Sequence, residues 1–188
     1  QELWIDIPMV DRPYVSSSFM TVAIQRVFST ALAGISKDRP ELVNQELELE
    51  AKISTISLKG NEDMINMLFE PLGYEVKKDS FILDENFKDW GFSNYYNITI
   101  KGKKKLSELL AHLYVLIPVL DNEKHYWIGE DEVSKLLRHG EGWLEKHPHY
   151  KMIAYRYLKK QNRLLGKFIQ GINLDNENDE EIDNDKTE

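Results

Sequence analysis

The chain has 188 residues, 41% of them hydrophobic and 30% charged, which suffices for one folded domain with a tail rather than for several domains. It has no cysteine, which excludes disulfides, thiolate metal sites and cysteine nucleophiles, and no apolar run approaches the ~20 residues that a membrane helix needs. The formal charge of −8 is concentrated at one end: residues 173–188 hold eight acids and one lysine, which leaves 24 acids against 23 bases in residues 1–172.

That split predicts two segments. Residues 1–172 should form a folded body. Residues 173–188, almost all Asp, Glu and Asn, have too little apolar surface to repay the entropy of ordering and should be a disordered acidic linker or tail. No secretory leader is seen, and a cysteine-free chain fits the cytoplasm. The chain starts at Gln1 rather than Met, so further residues are expected before it.

In chain order, Trp4, Ile5 and Ile7 alternate in a short strand ended by Pro8, and Asp11-Arg12-Pro13 is a turn. Ser16 to Ser18 offer an N-cap for a helix from about Phe19 to Ala33, with Phe19, Val22, Ala23, Val27, Thr30 and Ala31 inward and Gly34 as its stop. Leu47, Leu49, Ala51 and Ile53 alternate with Glu46, Glu48, Glu50 and Lys52, the pattern of a half-buried strand. The apolar phase then slips to Ile56 and Leu58, which predicts a bulge near Ser54-Thr55. Gly60-Asn61 opens a helix from about Glu62 to Glu70, ended by Pro71 and Gly73.

Two more strands follow, at Tyr74 to Leu83 and Tyr95 to Lys101. The loop between them, Asp84 to Asn94, carries Phe87, Trp90 and Phe92 and is expected to lie on the sheet as a lid. Leu106 to Ile117 is apolar nearly all round a 3.6-residue cycle, so a buried helix is expected there, stopped or bent at Pro118. Glu130-Asp131-Glu132 opens another helix, whose inward stripe is Val133, Leu136, Leu137, Gly140, Trp143 and Leu144. A last helix, from about Tyr150 to Ile169, sets Arg156, Lys159, Lys160, Arg163 and Lys167 on one face. The resulting fold class is α+β: a mixed or antiparallel sheet packed on one face against several helices, with a helical C-terminal half.

Residue chemistry alone assigns no reaction. There is no Gly-x-Gly-x-x-Gly and no phosphate-binding Gly-x-x-x-x-Gly-Lys-Ser/Thr, and Gly140-Glu141-Gly142 follows a helix pattern that a close approach or a helix end explains. His139, Glu141, His147 and His149 lack the regular spacing of a zinc site and read as helix-end and surface groups. His125 beside Asp121 and Glu123 could be drawn as an acid–base pair, but next to Tyr126 and Trp127 it reads as a packed or interface histidine. No catalytic, cofactor-binding or metal-ligating residue is assigned. The stronger signals are recognition types at turns and helix edges: Arg12, Tyr14, Lys37, Arg39, Lys124, His125, Tyr126, Trp127, Arg138 and His139. The basic face of the last helix is a further candidate for contact with RNA phosphates.

Leu109 to Pro148 reads LLAHLYVLIPVLDNEKHYWIGEDEVSKLLRHGEGWLEKHP. With Asp11-Arg12-Pro13-Tyr14-Val15, Ser36-Lys37-Asp38-Arg39-Pro40-Glu41-Leu42 and Leu68-Phe69-Glu70-Pro71-Leu72-Gly73-Tyr74, it resembles the bacterial 3′-terminal RNA ribose 2′-O-methyltransferases of RNA repair. The likeness lies in the region N-terminal to their methyltransferase domain and covers roughly residues 10 to 165. It implies a non-catalytic segment that binds a polynucleotide kinase-phosphatase-ligase repair enzyme as a hetero-oligomer and switches on its ligase. S-adenosylmethionine and a divalent metal are expected only in the methyltransferase domain, which this chain lacks. The other function that these features suit is an RNA-binding module presenting cleaved ends.

Overall fold

The computed structural model describes residues 16–82, 92–121 and 130–158. The expected N-terminal strand, the Asp84–Gly91 part of the lid loop, the acidic tail and the last helix beyond Leu158 lie outside them. The described residues fall into two compact units, one within Gln1–Lys124 and one within His125–Glu188.

In the first unit, α1 (Ser16–Val27) and α2 (Ser29–Leu32) lead through a 3₁₀ turn (Pro40–Leu42) to β1 (Leu47–Ser57). Next come α3 (Asp63–Phe69), a second 3₁₀ turn (Glu70–Leu72), β2 (Glu75–Ile82), β3 (Phe92–Lys104) and α4 (Leu106–Asp121). The strands form an antiparallel sheet in the order β1-β3-β2. One face carries Ile53, Ile56, Ile98 and Ile100, all buried. The other carries rows of charge, with Glu48 opposite Lys103 and Lys101 between Glu50 and Glu75. Opposite charges facing one another across strands each add a few tenths of a kcal/mol.

α4 is the helix on which this unit is built. Leu109, Leu110 and every residue from His112 to Asp121 are buried, as a helix apolar on all sides requires. α1, α2, α3 and β1 all pack on it. Its start is set by Glu108, whose carboxylate accepts the Lys105 N–H at 3.2 Å, half of a capping box. Of the two outcomes expected at Pro118, a stop or a bend, the stop does not occur: the helix runs on to Asp121. The lost N–H bond is local, whereas Val119 and Leu120 are buried and the Leu120 carbonyl accepts the Lys59 N–H at 3.1 Å, so packing carries the helix one turn further.

The first helix also differs from its sequence pattern. It breaks at Phe28, and Gly34, at φ +66°, closes the following turn as expected. The buried stripe is Met20 and Ile24, while Val22 and Val27 are 44% and 69% exposed. The helix offers two apolar stripes, and the one holding the bulkier Met20 and Ile24 is the one that is buried.

The expected bulge is present. The β1–β3 register shifts between Ile53 and Ile56, and Thr55 has φ +57°, an unusual value for a β-branched residue. The Asn97 side-chain oxygen accepts the Thr55 N–H at 3.1 Å and holds it there. Glycine adopts this conformation without a steric penalty, so Thr55→Gly should raise unfolding free energy by about 0.5–1 kcal/mol. Asn97→Ala should lower it by about 1 kcal/mol. Urea denaturation of the two variants checks both signs.

Beside β1 and against its apolar face runs a groove of about 40 Å³, lined by Met20, Leu49, Ala51, Ile53, Leu106, Leu109, Leu110 and Leu113. Farther along the sheet, Tyr74 ties three elements together. Its ring packs edge-on against Phe69 at 6.1 Å and against His112 at 5.7 Å, and its hydroxyl shares a 2.8 Å hydrogen bond with His112 Nδ1. Burial, and then the charge of Glu108, push the phenol well above its ordinary value of 10.0. A phenol held neutral in the fold contributes stability that is complete below the unfolded value and is lost as pH rises past it. Stability should therefore fall as pH climbs above about 10. Tyr74→Phe should flatten that fall while costing ~1–2 kcal/mol at neutral pH, measured by denaturation across a pH series.

In the second unit, α5 (Glu130–Gly140) and α6 (Tyr150–Leu158) pack together, joined by turns. Val133, Leu136, Gly140 and Leu144 are buried, with Leu137 and Trp143 half-buried, so the expected stripe is inward, but α5 ends at Gly140 and Trp143 and Leu144 reach inward from the turn after it rather than from the helix. A Cβ on Gly140 would stand 2.7 Å from Leu144 Cδ2, so the close approach inferred from the sequence is real. No helix of the described residues is long and apolar enough to cross a membrane.

Candidate functional site

Of the sequence candidates, Arg12, Tyr14, Lys124, His125, Tyr126, Trp127, Lys159, Lys160, Arg163 and Lys167 lie outside the described residues. In the first unit, Lys37 and Arg39 share the exposed loop after α2. Ser36 Oγ accepts the Arg39 N–H at 3.1 Å and fixes the loop just before Pro40 starts its 3₁₀ turn. The Arg39 guanidinium stands 3.7 Å from Glu41, an exposed pair that adds little stability but aims the side chain. Arg39 and Lys37 both reach solvent.

In the second unit, Arg138 and His139 occupy the last turn of α5, where cations complement the helix dipole. The exposed Arg138 Nη2 is 3.4 Å from His139 Nε2. A guanidinium can only donate, so Nε2 accepts and the ring proton sits on Nδ1. The electrostatics agree: burial first, then Arg138 and Lys135, lower His139 to about 4. His139 is therefore neutral at pH 7 and brings no charge to a phosphate or an acidic partner. Its backbone carbonyl accepts the Trp143 indole N–H at 2.7 Å, which locks the turn after the helix.

Arg156, expected on a solvated basic face, is half-buried instead, and that burial lowers its affinity for the proton. It remains charged, but it is partly withdrawn from the surface assigned to it. His147 is a second correction. It is 2% exposed rather than a surface group, its Nδ1 accepts the His149 N–H at 3.0 Å, and its ring meets Trp143 edge-on at 6.4 Å. The His147-Pro148-His149 turn thus works as packing, a role that the flanking aromatic at Trp143 could have suggested. Among the described residues, no three His, Cys, Asp or Glu side chains are grouped so as to hold a metal ion.

A neutral His139 contributes stability that is present above its unfolded value of 6.5 and is lost as pH falls toward about 4. Discounted for its half-exposed position, the loss should be on the order of 1 kcal/mol. His139→Gln should remove the corresponding slope between pH 6.5 and 4 in a urea-denaturation series.

Each unit thus presents exposed cations of its own, Lys37 and Arg39 at a loop of the first and Arg138 at a helix end of the second. No curated protein matches the chain. One family's sequence pattern does, over residues 6–172, and it is described as the RNA repair, ligase-Pnkp-associating, region of Hen1. The match spans most of the chain and takes in both compact units, so this chain belongs to the ligase-Pnkp-associating region family of Hen1, in RNA repair.

Proposed function

We propose that the chain is the docking region through which an RNA 3′-terminal 2′-O-methyltransferase binds a kinase-phosphatase-ligase repair enzyme and raises its ligase activity. The family match over residues 6–172 carries this reading. In it, the two units act together as one non-catalytic region, cytoplasmic like its partner. S-adenosylmethionine and the divalent metal belong to the methyltransferase domain. The physical basis of activation is differential binding: a surface that fits the adenylate-accepting conformation of the ligase better than its resting one shifts the population toward the former.

The alternative, direct presentation of cleaved RNA, has less support among the described residues. Of the candidate cations that are described, Arg39 is paired with Glu41, His139 is neutral and Arg156 is half-buried, which weakens each as a phosphate contact.

Adding the chain to the partner ligase should increase its adenylylation, read as transfer of labelled AMP to the enzyme. An unchanged rate would sink the activation reading. Arg138→Ala and Trp127→Ala should each lower the stimulation, on the order of tenfold for a contact at the centre of an interface. Full stimulation by both variants would remove these residues from the contact.

A further inference from the structure

β1 is an edge strand: among the described residues, β3 pairs with one of its sides and no strand pairs with the other. An edge eleven residues long invites strand addition unless its side chains forbid it. Those side chains follow a pattern. On the face opposite the buried isoleucines, charges run in rows across the strands. One row is Glu75, Lys101, Glu50 and reaches the edge on an acid. The next is Lys77, Thr99, Lys52 and reaches the edge on a base. Glu50 and Lys52 are both exposed and stand 2.9 Å apart along the strand. The edge thus presents one acid and one base on a single face, with Ala51 between them.

A strand with that pattern is complementary to itself. Laid antiparallel on a second copy with Ala51 opposite Ala51, it sets Glu50 against Lys52 twice, once on each side of the two-fold axis. The row Glu75, Lys101, Glu50 then continues across the seam to Lys52 of the second copy, so its charges go on alternating. On the apolar face Leu49 comes opposite Ile53, beside the groove that both help to line, and Glu48 meets the uncharged Ser54. Opposite charges and aliphatic pairs across strands stabilise a ladder, and like charges oppose it. The nearby antiparallel registers are poorer. Centring on Leu49 sets Glu48 against Glu50, and centring on Glu50 or Lys52 sets that residue against itself. A slip of one residue turns the apolar side outward. Residues 159–172 of the same chain hold four bases and no acid, so a strand of them could answer Glu50 but not Lys52.

We propose that the free edge of β1 is a self-association site. Two copies of this chain pair antiparallel from Leu49 to Ile53, about Ala51, and join their three-stranded sheets into one. The symmetric segment lies wholly in the straight part of β1, before the register shift that follows Ile53. The main-chain ladder supplies the affinity, and the Glu50–Lys52 pairs fix the register. This inference goes beyond the docking role proposed above and does not depend on it.

The test is sedimentation equilibrium of the full chain over a concentration series, with amide hydrogen exchange on the same samples. The wild-type chain should pass from monomer to dimer, and exchange of edge-facing amides from Leu49 to Ile53 should slow on the order of tenfold as it does. Glu50→Lys and Lys52→Glu should each weaken the dimer on the order of tenfold, because each sets like charges opposite one another. Mixed in equal amounts, the two variants should associate with each other more tightly than either does with itself, since opposite charges face at both places in the mixed pair. A wild-type chain that stays monomeric up to about 1 mM overturns the proposal. So does a dimer with no new protection from Leu49 to Ile53, or a mixture of folded variants no tighter than each alone. Protection of this edge that appears only when the partner ligase is added assigns it to that enzyme and likewise overturns self-pairing. The exchange measurement uses the wild-type chain, so it decides the matter if neither variant folds. Stimulation of the ligase is read separately, so either reading can fail without the other.

Discussion

The first unit depends on the burial of α4. A helix that is apolar on every side cannot rest at a surface, so the chain must surround it, and α1, α2, α3 and β1 all pack against it. This also dictates where polar chemistry is allowed. His112 lies inside the buried stretch, and a buried imidazole costs free energy unless it is hydrogen-bonded. Tyr74 meets that need, and in doing so draws the end of α3 and the start of β2 against the middle of α4. Gly102 completes the junction from β3: a Cβ there would stand 3.1 Å from both the Gly73 carbonyl and the Tyr74 ring.

Much of this frame was legible in the sequence, for identifiable reasons. Strand alternation and its slip gave the bulge, because a period of two makes a single extra residue visible. The all-round apolar character of residues 106–117 gave a buried helix, and the Val133-to-Gly140 part of the next stripe gave the inward side of α5. What was left open or missed is equally physical. Pro118 allowed a stop or a bend, because it breaks one hydrogen bond locally and the pattern along the chain does not show that Val119 and Leu120 have a buried place to occupy. The first helix has two apolar stripes, and only the tertiary neighbour chooses Met20 and Ile24 over Val22 and Val27. The Tyr74–His112 bond joins residues 38 apart, a separation at which no local signal operates.

The candidate site divides the same way. Residue type marked Arg39 and Arg138 as recognition groups, and both reach solvent. Residue type could not reveal that His139 is neutral, since that follows from burial and from the two cations beside it. Nor could it separate His147, which packs against Trp143, from a surface histidine. The acids of β1 were legible as the polar side of a strand. That the strand is an edge, with a groove along it, is a property of the sheet order and appears only in three dimensions.

The bulge at Thr55 has a consequence for the edge it interrupts. Regular pairing runs from Leu47 to Ile53 and then loses step, so the straight part of β1 has a fixed length, about 20 Å at a rise of roughly 3.3 Å per residue. The kink acts as an end-stop. A strand aligned on this edge cannot slide past Ile53 without losing its ladder, and a slide of one residue the other way turns every side chain to the wrong face. Asn97, by holding one backbone amide from the neighbouring strand, thereby fixes where the regular ladder of β1 ends.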